Sequence, residues 1–317
     1  MKKIYVILVN ILLIFAVLTA VDAYVFYKTT KDVYIYPNKT VFCKKYYDFY
    51  KEQFRPKGEK YLFEQYILGK TEQGENFYRE PVNVDSSLPP VLLFGCSFVY
   101  GYKIPDASIF SNVLGEYTKR PVYNRAKDGL GINLMLYQLQ NEEFYKIVPK
   151  PEYVIYTYIY DHRRRMFMTC VPCMNYYYDL FYKIKNNKPK LTKYLNKIYS
   201  VEHIKQKYYK NNHEKYRQKA QDLALLQLLE CNKLIKEHWG DTRFIVFVYT
   251  LHSEPINEIE DKLTQAGIEV IYRKDILPFD DEYDEKYSLS KTDGHPNENA
   301  WKYITPELIK AIEKKND

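Results

Sequence analysis

The feature that most constrains this chain is a short apolar run, Val91–Phe94, that ends at a glycine and is followed by a serine. The run comes directly after two prolines, and a brief, fully apolar segment of this kind is typical of a buried strand in a parallel sheet. Gly95 permits a tight exit from the strand, so that Ser97 falls where the chain turns towards a helix. In open α/β sheets, the carboxyl end of a strand is where ligands bind. Ser97 is therefore a candidate catalytic residue, with capping of the next helix as the alternative interpretation.

A second candidate site lies near the end of the chain, in the sequence Asp293-Gly294-His295. A carboxylate two residues before a histidine can orient the imidazole and leave its other nitrogen free to take a proton from a serine hydroxyl. The alternative is an ordinary loop that leads into a helix N-cap. Because both halves of a serine–histidine–aspartate set occur in one chain, at opposite ends of an α/β pattern, catalysis is the favoured interpretation.

This pairing resembles the SGNH/GDSL hydrolase family. In that family, Gly-x-Ser after the first strand supplies the nucleophile, and Asp-x-x-His or Asp-x-His near the end of the chain completes the triad. The fuller run Gly-x-Ser-Phe-x-Tyr-Gly, here Gly95–Gly101, is similar to the subgroup that includes exported and membrane-anchored esterases and enzymes that modify polysaccharide O-acetyl groups. The resemblance implies that Ser97 is the nucleophile, that His295 is the base, and that Asp293 orients the base.

Strand-like and helix-like segments alternate from residue 91 onwards, and this alternation predicts a parallel sheet covered by helices on both faces. The predicted strands are 91–94, 121–124, 153–158, 243–249 and 268–272. The predicted helices are 108–117, 132–145, 214–238, 254–266 and 298–313. The resemblance adds the flavodoxin-like strand order 2-1-3-4-5. We therefore expect a three-layer α/β fold of the SGNH hydrolase type, with a five-stranded sheet.

The remaining segments suggest how the chain is divided. Residues 1–26 form an apolar N-terminal segment, and residues 27–90 are predicted to be a stalk and a loop-rich lead-in with one or two short strands. Residues 91–317 are predicted to form the hydrolase-like domain. Within that domain, residues 166–212 are predicted to be a variable insertion, which is the place where a substrate-specific cap is expected.

A glycine-containing loop follows the second predicted strand and opens the next helix. Unpaired backbone N–H groups at a helix N-terminus form a natural site for an anion. In the resembling family, a glycine of this loop contributes its N–H to the oxyanion hole, together with the N–H of the nucleophile. Gly129 is the best match for that glycine and Gly131 lies close behind it; the alternative is that both serve only the geometry of the turn.

The end of the third predicted strand departs from the family pattern. The family usually carries Gly-x-Asn-Asp there, and the asparagine side chain donates to the oxyanion. This chain has Asp161-His162-Arg163 instead. Since a carboxylate would repel a developing negative charge, we expect His162 to replace the asparagine as an oxyanion donor and Arg163 to contact the substrate. Tyr100 and Gly131 are also expected to line the substrate-binding site.

The N-terminus carries two lysines followed by an apolar run over residues 4–21, interrupted only by Asn10 and Thr19. The run is long enough for a membrane helix. Basic residues before it and Asp22 after it predict a cytoplasmic N-terminus and a periplasmic or extracellular catalytic domain. An uncleaved, single-pass signal anchor is favoured over a signal peptide cleaved near Ala23.

The chain has five cysteines, and the spacing of Cys170 and Cys173 is that of a local disulfide, a redox dithiol or half of a zinc site. In an exported domain, a disulfide between Cys170 and Cys173 is the simplest interpretation, with free thiols and redox catalysis as alternatives. Cys96, beside Ser97, is expected to face the core. No metal site and no cofactor are predicted.

The formal net charge of +7 is spread along the chain, so nucleic-acid binding is not expected. The function that the sequence favours is serine-dependent hydrolysis of an ester on an exported glycan or glycolipid, most simply an O-acetyl ester. The same triad would serve an O-acyltransferase. A non-catalytic polysaccharide-binding module on the same fold is the third alternative. The acyl group, the sugar, the oligomeric state and any protein partner are not encoded in these motifs.

Overall fold

The computed structural model describes residues 2–30, 59–71, 74–165, 180–192, 213–249, 254–277 and 284–314. The chain divides into two compact units. Among the described residues, the first unit holds the N-terminal helix and the second holds the sheets and their surrounding helices. Of the predicted segments, the stalk, much of the insertion, and both Cys170 and Cys173 lie outside the described residues.

Twelve α-helices and nine strands occur in the described ranges. The helices are α1 (Lys2–Thr30), α2 (Glu59–Tyr66), α3 (Ser97–Tyr100), α4 (Phe110–Thr118), α5 (Ile132–Leu139), α6 (Glu142–Ile147), α7 (Tyr160–Arg165), α8 (His213–Trp239), α9 (Glu254–Asn257), α10 (Glu260–Gln265), α11 (Arg273–Ile276) and α12 (Ala300–Lys314). The strands are β1 (Val91–Phe94), β2 (Val122–Asn124), β3 (Tyr153–Tyr158), β4 (Phe181–Lys185), β5 (Lys188–Thr192), β6 (Arg243–Val248), β7 (Glu269–Tyr272), β8 (Ser288–Ser290) and β9 (Asp293–Pro296).

Five strands form one parallel sheet in the order β2-β1-β3-β6-β7. Val91 of β1 lies opposite Val122 of β2 on one side and Tyr153 of β3 on the other. The sheet continues from β3 to β6 and from β6 to β7, again in parallel. Numbered within the sheet, this is the expected order 2-1-3-4-5, and the prediction of a flavodoxin-like α/β fold is confirmed.

Helices cover both faces of the sheet because the strand side chains alternate between two apolar clusters. On one face, Leu92 and Val154 pack in a cluster with residues of α5 and α8, such as Leu136 and Leu228. On the other face, Leu93, Ile155 and Ile245 pack in a cluster that includes side chains from α4 and α12. The Phe110 ring of α4 and the Trp301 ring of α12 stack there with their centroids 4.1 Å apart. The three-layer architecture therefore has a separate core on each side of the sheet.

The structure corrects several predicted elements. The segment 132–145 is two helices, because Asn141 caps α6 by accepting a hydrogen bond from the N–H of Glu143. The segment 254–266 is likewise two helices, α9 and α10. The lead-in contains a helix, α2, where loops and short strands were expected. The hairpins β4–β5 and β8–β9 and the short helices α7 and α11 were not predicted.

The N-terminal helix α1 contains a stretch, Ile4–Val25, that is long and apolar enough to cross a membrane. Its 22 residues match the length that a bilayer core requires. A signal sequence near an N-terminus can also meet this criterion of length and composition. The prediction of an apolar N-terminal helix is therefore confirmed.

Candidate active site

Ser97 is the first residue of α3 and lies immediately beyond the carboxyl end of β1. Two residues before it, Gly95 allows a close approach that no other residue permits: a Cβ atom there would lie 2.7 Å from Cγ2 of Val99. The helix cap position is occupied by Cys96, and no side chain makes a cap hydrogen bond. The Ser97 hydroxyl is thus not used for capping. Cys96 is fully buried and reduced, as expected of a small apolar core residue.

The hydroxyl of Ser97 is engaged instead by a histidine 198 positions away. Its Oγ lies 2.8 Å from Nε2 of His295. On the other side of the ring, Nδ1 of His295 lies 2.5 Å from Oδ1 of Asp293, and the same oxygen accepts the backbone N–H of His295 at 3.2 Å. Because the carboxylate accepts the Nδ1 proton, Nε2 is left as the acceptor for the serine hydroxyl. The structure therefore brings Ser97, His295 and Asp293 into one hydrogen-bonded line.

The β8–β9 hairpin holds the histidine and the aspartate in this position. Both residues belong to β9, which pairs antiparallel with β8. The side chain of Asn297 fixes the end of the hairpin by donating to the backbone carbonyls of Glu285 and Ser288. The same side chain accepts from the backbone N–H of Ala300, the first residue of α12. A short polar hairpin is thus anchored between a loop and a long helix of the core.

The carboxyl group of Asp293 is held in its ionised form. Partial burial opposes ionisation, but hydrogen bonds from the ring and backbone of His295, together with the positive charge of Lys103, lower the pKa of Asp293 below its ordinary value. An ionised Asp293 can stabilise the positive charge that His295 acquires on taking a proton. The rings of Phe98 and Tyr102 lie beside the imidazole, at centroid distances of 4.7 and 5.1 Å.

Two candidate oxyanion donors are the backbone N–H groups of Ser97, just beyond β1, and of Gly129, in the loop after β2. In the described part of the chain, the N–H groups of Ser97 and Gly129 donate to no acceptor. Ser97 opens a helix, where N–H groups lack intrahelical partners. Gly129 has a φ of 72°, in the left-handed region, so the turn itself requires a glycine at this position. Turn geometry and a free donor are thus compatible at Gly129.

His162, the expected replacement for the family's asparagine, is buried. The backbone of Gly131 passes directly over its ring: a Cβ atom on this residue would lie 3.0 Å from Cδ2 of the histidine. The Tyr156 hydroxyl and the N–H of Ile159 both face Nδ1, at 2.7 and 3.5 Å. Two donors around Nδ1 place the ring proton on Nε2. This Nε2 atom is buried and has no hydrogen-bond partner among the described residues.

The charge of His162 follows from this burial. Loss of solvent, reinforced by the positive charge of Arg165, holds the pKa of His162 well below its ordinary value. The imidazole is therefore neutral at physiological pH. Its Nε2–H is a neutral donor, and the prediction that it serves as an oxyanion donor stays a prediction.

Arg163 is also buried, and the expectation that it contacts the substrate stays a prediction. Its Nη2 donates to the hydroxyl of Tyr160 at 2.8 Å, and its guanidinium lies 4.8 Å from the centre of the same ring. Tyr100 is partly exposed. Its hydroxyl accepts from Nζ of Lys127 at 3.2 Å, and the guanidinium of Arg79 lies 4.5 Å from its ring centre. Tyr100 thus remains a candidate for the substrate-binding surface.

One charged residue of this region was missed by the sequence analysis. Asp128 precedes Gly129 in the loop between β2 and α5, and its Oδ1 is buried without a hydrogen bond from any described residue. Burial raises its pKa, while the positive charges of Lys127 and other neighbours oppose that rise. The sequence did offer one signal for Asp128, because this carboxylate directly precedes Gly129, the best match for the oxyanion glycine.

No group of three or more histidine, cysteine, aspartate or glutamate side chains in the described ranges is arranged to hold a metal ion. The disulfide predicted between Cys170 and Cys173 lies outside those ranges. The arrangement of Ser97, His295 and Asp293 is suited chemically to activation of a hydroxyl nucleophile by a general base.

No protein-family model and no curated protein matches this chain. Solved structures do match its fold. A lipolytic G-D-S-L family protein from Veillonella parvula is 11% identical over 71% of this chain and 98% of its own, with a TM-score of 0.43. A lipase from a goat rumen metagenome is 16% identical over 71% of this chain and 97% of its own, also with a TM-score of 0.43.

A structure described as that of a carbohydrate esterase is 13% identical over 71% of this chain, with a TM-score of 0.44. The matched part spans 65% of that protein's length, which is less than two thirds. Since one fold serves many reactions, function must be inferred from the residues of the site itself.

Proposed function

We infer that this chain is an SGNH/GDSL-type hydrolase, and we propose that it is a serine esterase. The observation that carries the proposal is the line of hydrogen bonds from Ser97 through His295 to Asp293, at the carboxyl end of the parallel sheet. This line joins a nucleophile to a base and the base to the group that orients it.

The proposed reaction begins when Oγ of Ser97 attacks the carbonyl carbon of an ester and Nε2 of His295 takes the hydroxyl proton. Asp293 stabilises the imidazolium that forms. The tetrahedral intermediate collapses, the C–O bond to the alcohol breaks, and His295 returns its proton to the departing oxygen. Water then attacks the acyl-serine, with His295 acting again as base, and releases the carboxylic acid.

The negative oxygen of the tetrahedral intermediate needs donors. The N–H groups of Ser97 and Gly129 are proposed for this role because neither has a partner among the described residues. The Nε2–H of His162 is proposed as the third donor, in place of the asparagine that the resemblance leads one to expect. Loss of one such donor costs about 3 kcal/mol in known enzymes, so a replacement for the asparagine is needed.

The proposed substrate is an acylated, most simply O-acetylated, glycan or glycolipid outside the cytoplasm. The N-terminal stretch Ile4–Val25 supports export, and its length supports an uncleaved anchor. The two lysines before it support a catalytic domain on the far side of the membrane. The exposed ring of Tyr102, beside His295, gives the site an apolar surface suited to the face of a sugar ring.

Two alternatives use the same fold. An O-acyltransferase would form the same acyl-serine and pass the acyl group to a sugar hydroxyl instead of water. A polysaccharide-binding module would need no chemistry at Ser97. The hydrogen-bonded line through His295 favours an enzyme over a binding module, because sugar binding alone does not require a serine hydroxyl joined to a base.

The test is hydrolysis of an aryl acetate by the full chain and by two variants, Ser97→Ala and His295→Ala. Each variant should lower kcat/KM by at least about a thousandfold, because each removes a member of a unit that acts together. Ser290→Ala changes another serine near the site, in β8, and should leave the activity in place. Activity that survives in Ser97→Ala would exclude the proposed nucleophile.

A further inference from the structure

The side chain of Asp128 has an unused capacity to accept hydrogen bonds. It lies in the loop between β2 and α5, immediately before Gly129. Its Oδ1 is buried, and within the described ranges no N–H or O–H group donates to it. Buried polar atoms in folded proteins nearly always have a partner, and one left without costs free energy. An unpaired carboxylate oxygen in this loop therefore calls for a donor from outside the chain.

Cations surround Asp128 without hydrogen bonding to it. The positive charges of Lys127, Arg79 and Arg165 all act on its carboxyl group. The donors of these cations are directed elsewhere. Lys127 donates to the hydroxyl of Tyr100, Arg79 donates to Asp106 and to two backbone carbonyls, and Arg165 donates to the carbonyl of Leu130 and lies 3.7 Å from Asp161. The negative charge of Asp128 is thus balanced at a distance while its oxygen stays free.

This balance of charge limits what the missing donor can be. A positively charged ligand group would meet three permanent cations and an imidazole that becomes positive during the reaction. A neutral hydroxyl group brings a proton to the oxygen without adding a charge. Asp128 follows β2, which lies beside β1 in the parallel sheet, so the loop that carries it shares an edge of the sheet with Ser97. Its neighbour Lys127 donates to Tyr100 of α3, the helix that Ser97 begins. A hydroxyl of the molecule whose ester reacts with Ser97 would supply such a neutral donor.

We propose that Asp128 is a substrate-binding residue that accepts a hydrogen bond from a free hydroxyl near the ester, so that the site selects partly acylated sugars over esters without hydroxyl groups. The proposal rests on the proposed esterase activity of Ser97. It assigns to Asp128 a role in selecting the substrate and none in bond making or breaking.

The test compares esters that differ only in their free hydroxyls. The probes are mono-O-acetylated methyl glucopyranosides and the same compounds with the remaining hydroxyls O-methylated. For the full wild-type chain, kcat/KM should be at least about tenfold higher for the hydroxylated ester, the difference expected for a hydrogen bond to a charged group. Asp128→Ala should remove this preference, and Asp128→Asn, which keeps one acceptor oxygen, should restore part of it.

Thermal unfolding separates this role from a structural one. Because burial penalises the ionised carboxyl, Asp128→Ala should unfold at the wild-type temperature or above it, whereas loss of a structural carboxylate would lower the midpoint. Asp241→Ala, at the other end of the sheet, is the control and should keep the wild-type preference for the hydroxylated ester.

Two results would overturn the proposal: no wild-type preference for the hydroxylated ester, or an unchanged preference in Asp128→Ala, whether or not that variant loses activity equally on both esters. Failure of the underlying esterase proposal is visible separately, because Ser97→Ala would then keep its activity on an aryl acetate.

Discussion

His162 shows how one buried side chain can carry both a structural role and a proposed catalytic role. Its ring fills the space that the missing Cβ of Gly131 leaves, and its Nδ1 faces the hydroxyl of Tyr156. Burial keeps the imidazole neutral. A neutral ring with its proton on Nε2 offers a donor and adds no titrating charge to the site.

This neutrality predicts how stability changes with pH. Below about pH 6.5 the unfolded chain binds a proton at His162 and the native chain does not, so the unfolding free energy falls as the pH is lowered from 7 to 5. The limiting contribution is about 1.4 kcal/mol per pH unit. Chemical denaturation of wild type and His162→Gln across this range should show a shallower dependence in the variant.

A matched control comes from a histidine at the surface. His238 lies near the end of α8 and stacks on Tyr145, and His238→Gln should keep the steeper wild-type dependence. An identical pH dependence in wild type and His162→Gln would contradict the assignment of His162 as a buried neutral imidazole.

Recognition of individual residues from the sequence was uneven. Ser97, Asp293 and His295 were identifiable because each lies in a short motif, although the contact between residues 97 and 295 depends on the whole fold. Asp128 lies in no motif, and only its unpaired oxygen marks it. The burial of His162 could not be inferred, since a polar run after a strand has the composition of an exposed loop.

At the scale of elements, Arg125 joins the lead-in helix to the sheet. It follows β2, and its Nη2 donates to the carbonyl of Ile67, just beyond the end of α2, at 2.6 Å. Its Nε donates to Gln138 of α5 at 2.9 Å, and its guanidinium lies 4.0 Å from the ring centre of Tyr78. A cation at the C-terminal end of a helix also matches the negative end of the helix dipole.

Arg125→Leu should therefore lower the free energy of unfolding by about 3 kcal/mol, because it leaves buried carbonyl and amide acceptors without their charged donor. Urea denaturation gives this value. Arg217→Leu is the control: it breaks a half-exposed ion pair with Glu258 and should cost less than about 1 kcal/mol. Equal costs for the two substitutions would contradict the role of Arg125 in holding α2.

Some strands and helices could be predicted from the sequence and others could not. The bounds of β1 and β3 were predicted correctly, since buried parallel strands are continuous apolar runs. The division between α5 and α6 was missed because the apolar pattern continues across Asn141. The β8–β9 hairpin was missed because its strands are short and polar and are held by contacts distant in sequence, such as those of Asn297.

At the scale of the whole molecule, the parallel sheet determines where the site lies. All five strands run in the same direction, so their carboxyl ends and the loops that follow them share one edge. The strand β1 lies between β2 and β3, and Ser97 follows it. The two residues that complete the line come from β9, outside the sheet. The alternation of strands and helices thus predicts at which edge of the sheet the site lies. The contacts within the site depend on the segments outside the sheet.

The central claim is that Ser97 is an activated nucleophile, and the most direct measurement is the intact mass of the full-length chain after treatment with a fluorophosphonate. The serine oxygen would displace fluoride and retain the phosphonyl group. We expect one adduct on the wild type and on Ser290→Ala, and none on Ser97→Ala. A folded wild-type chain that gains no adduct, or an adduct that persists in Ser97→Ala, would contradict the account.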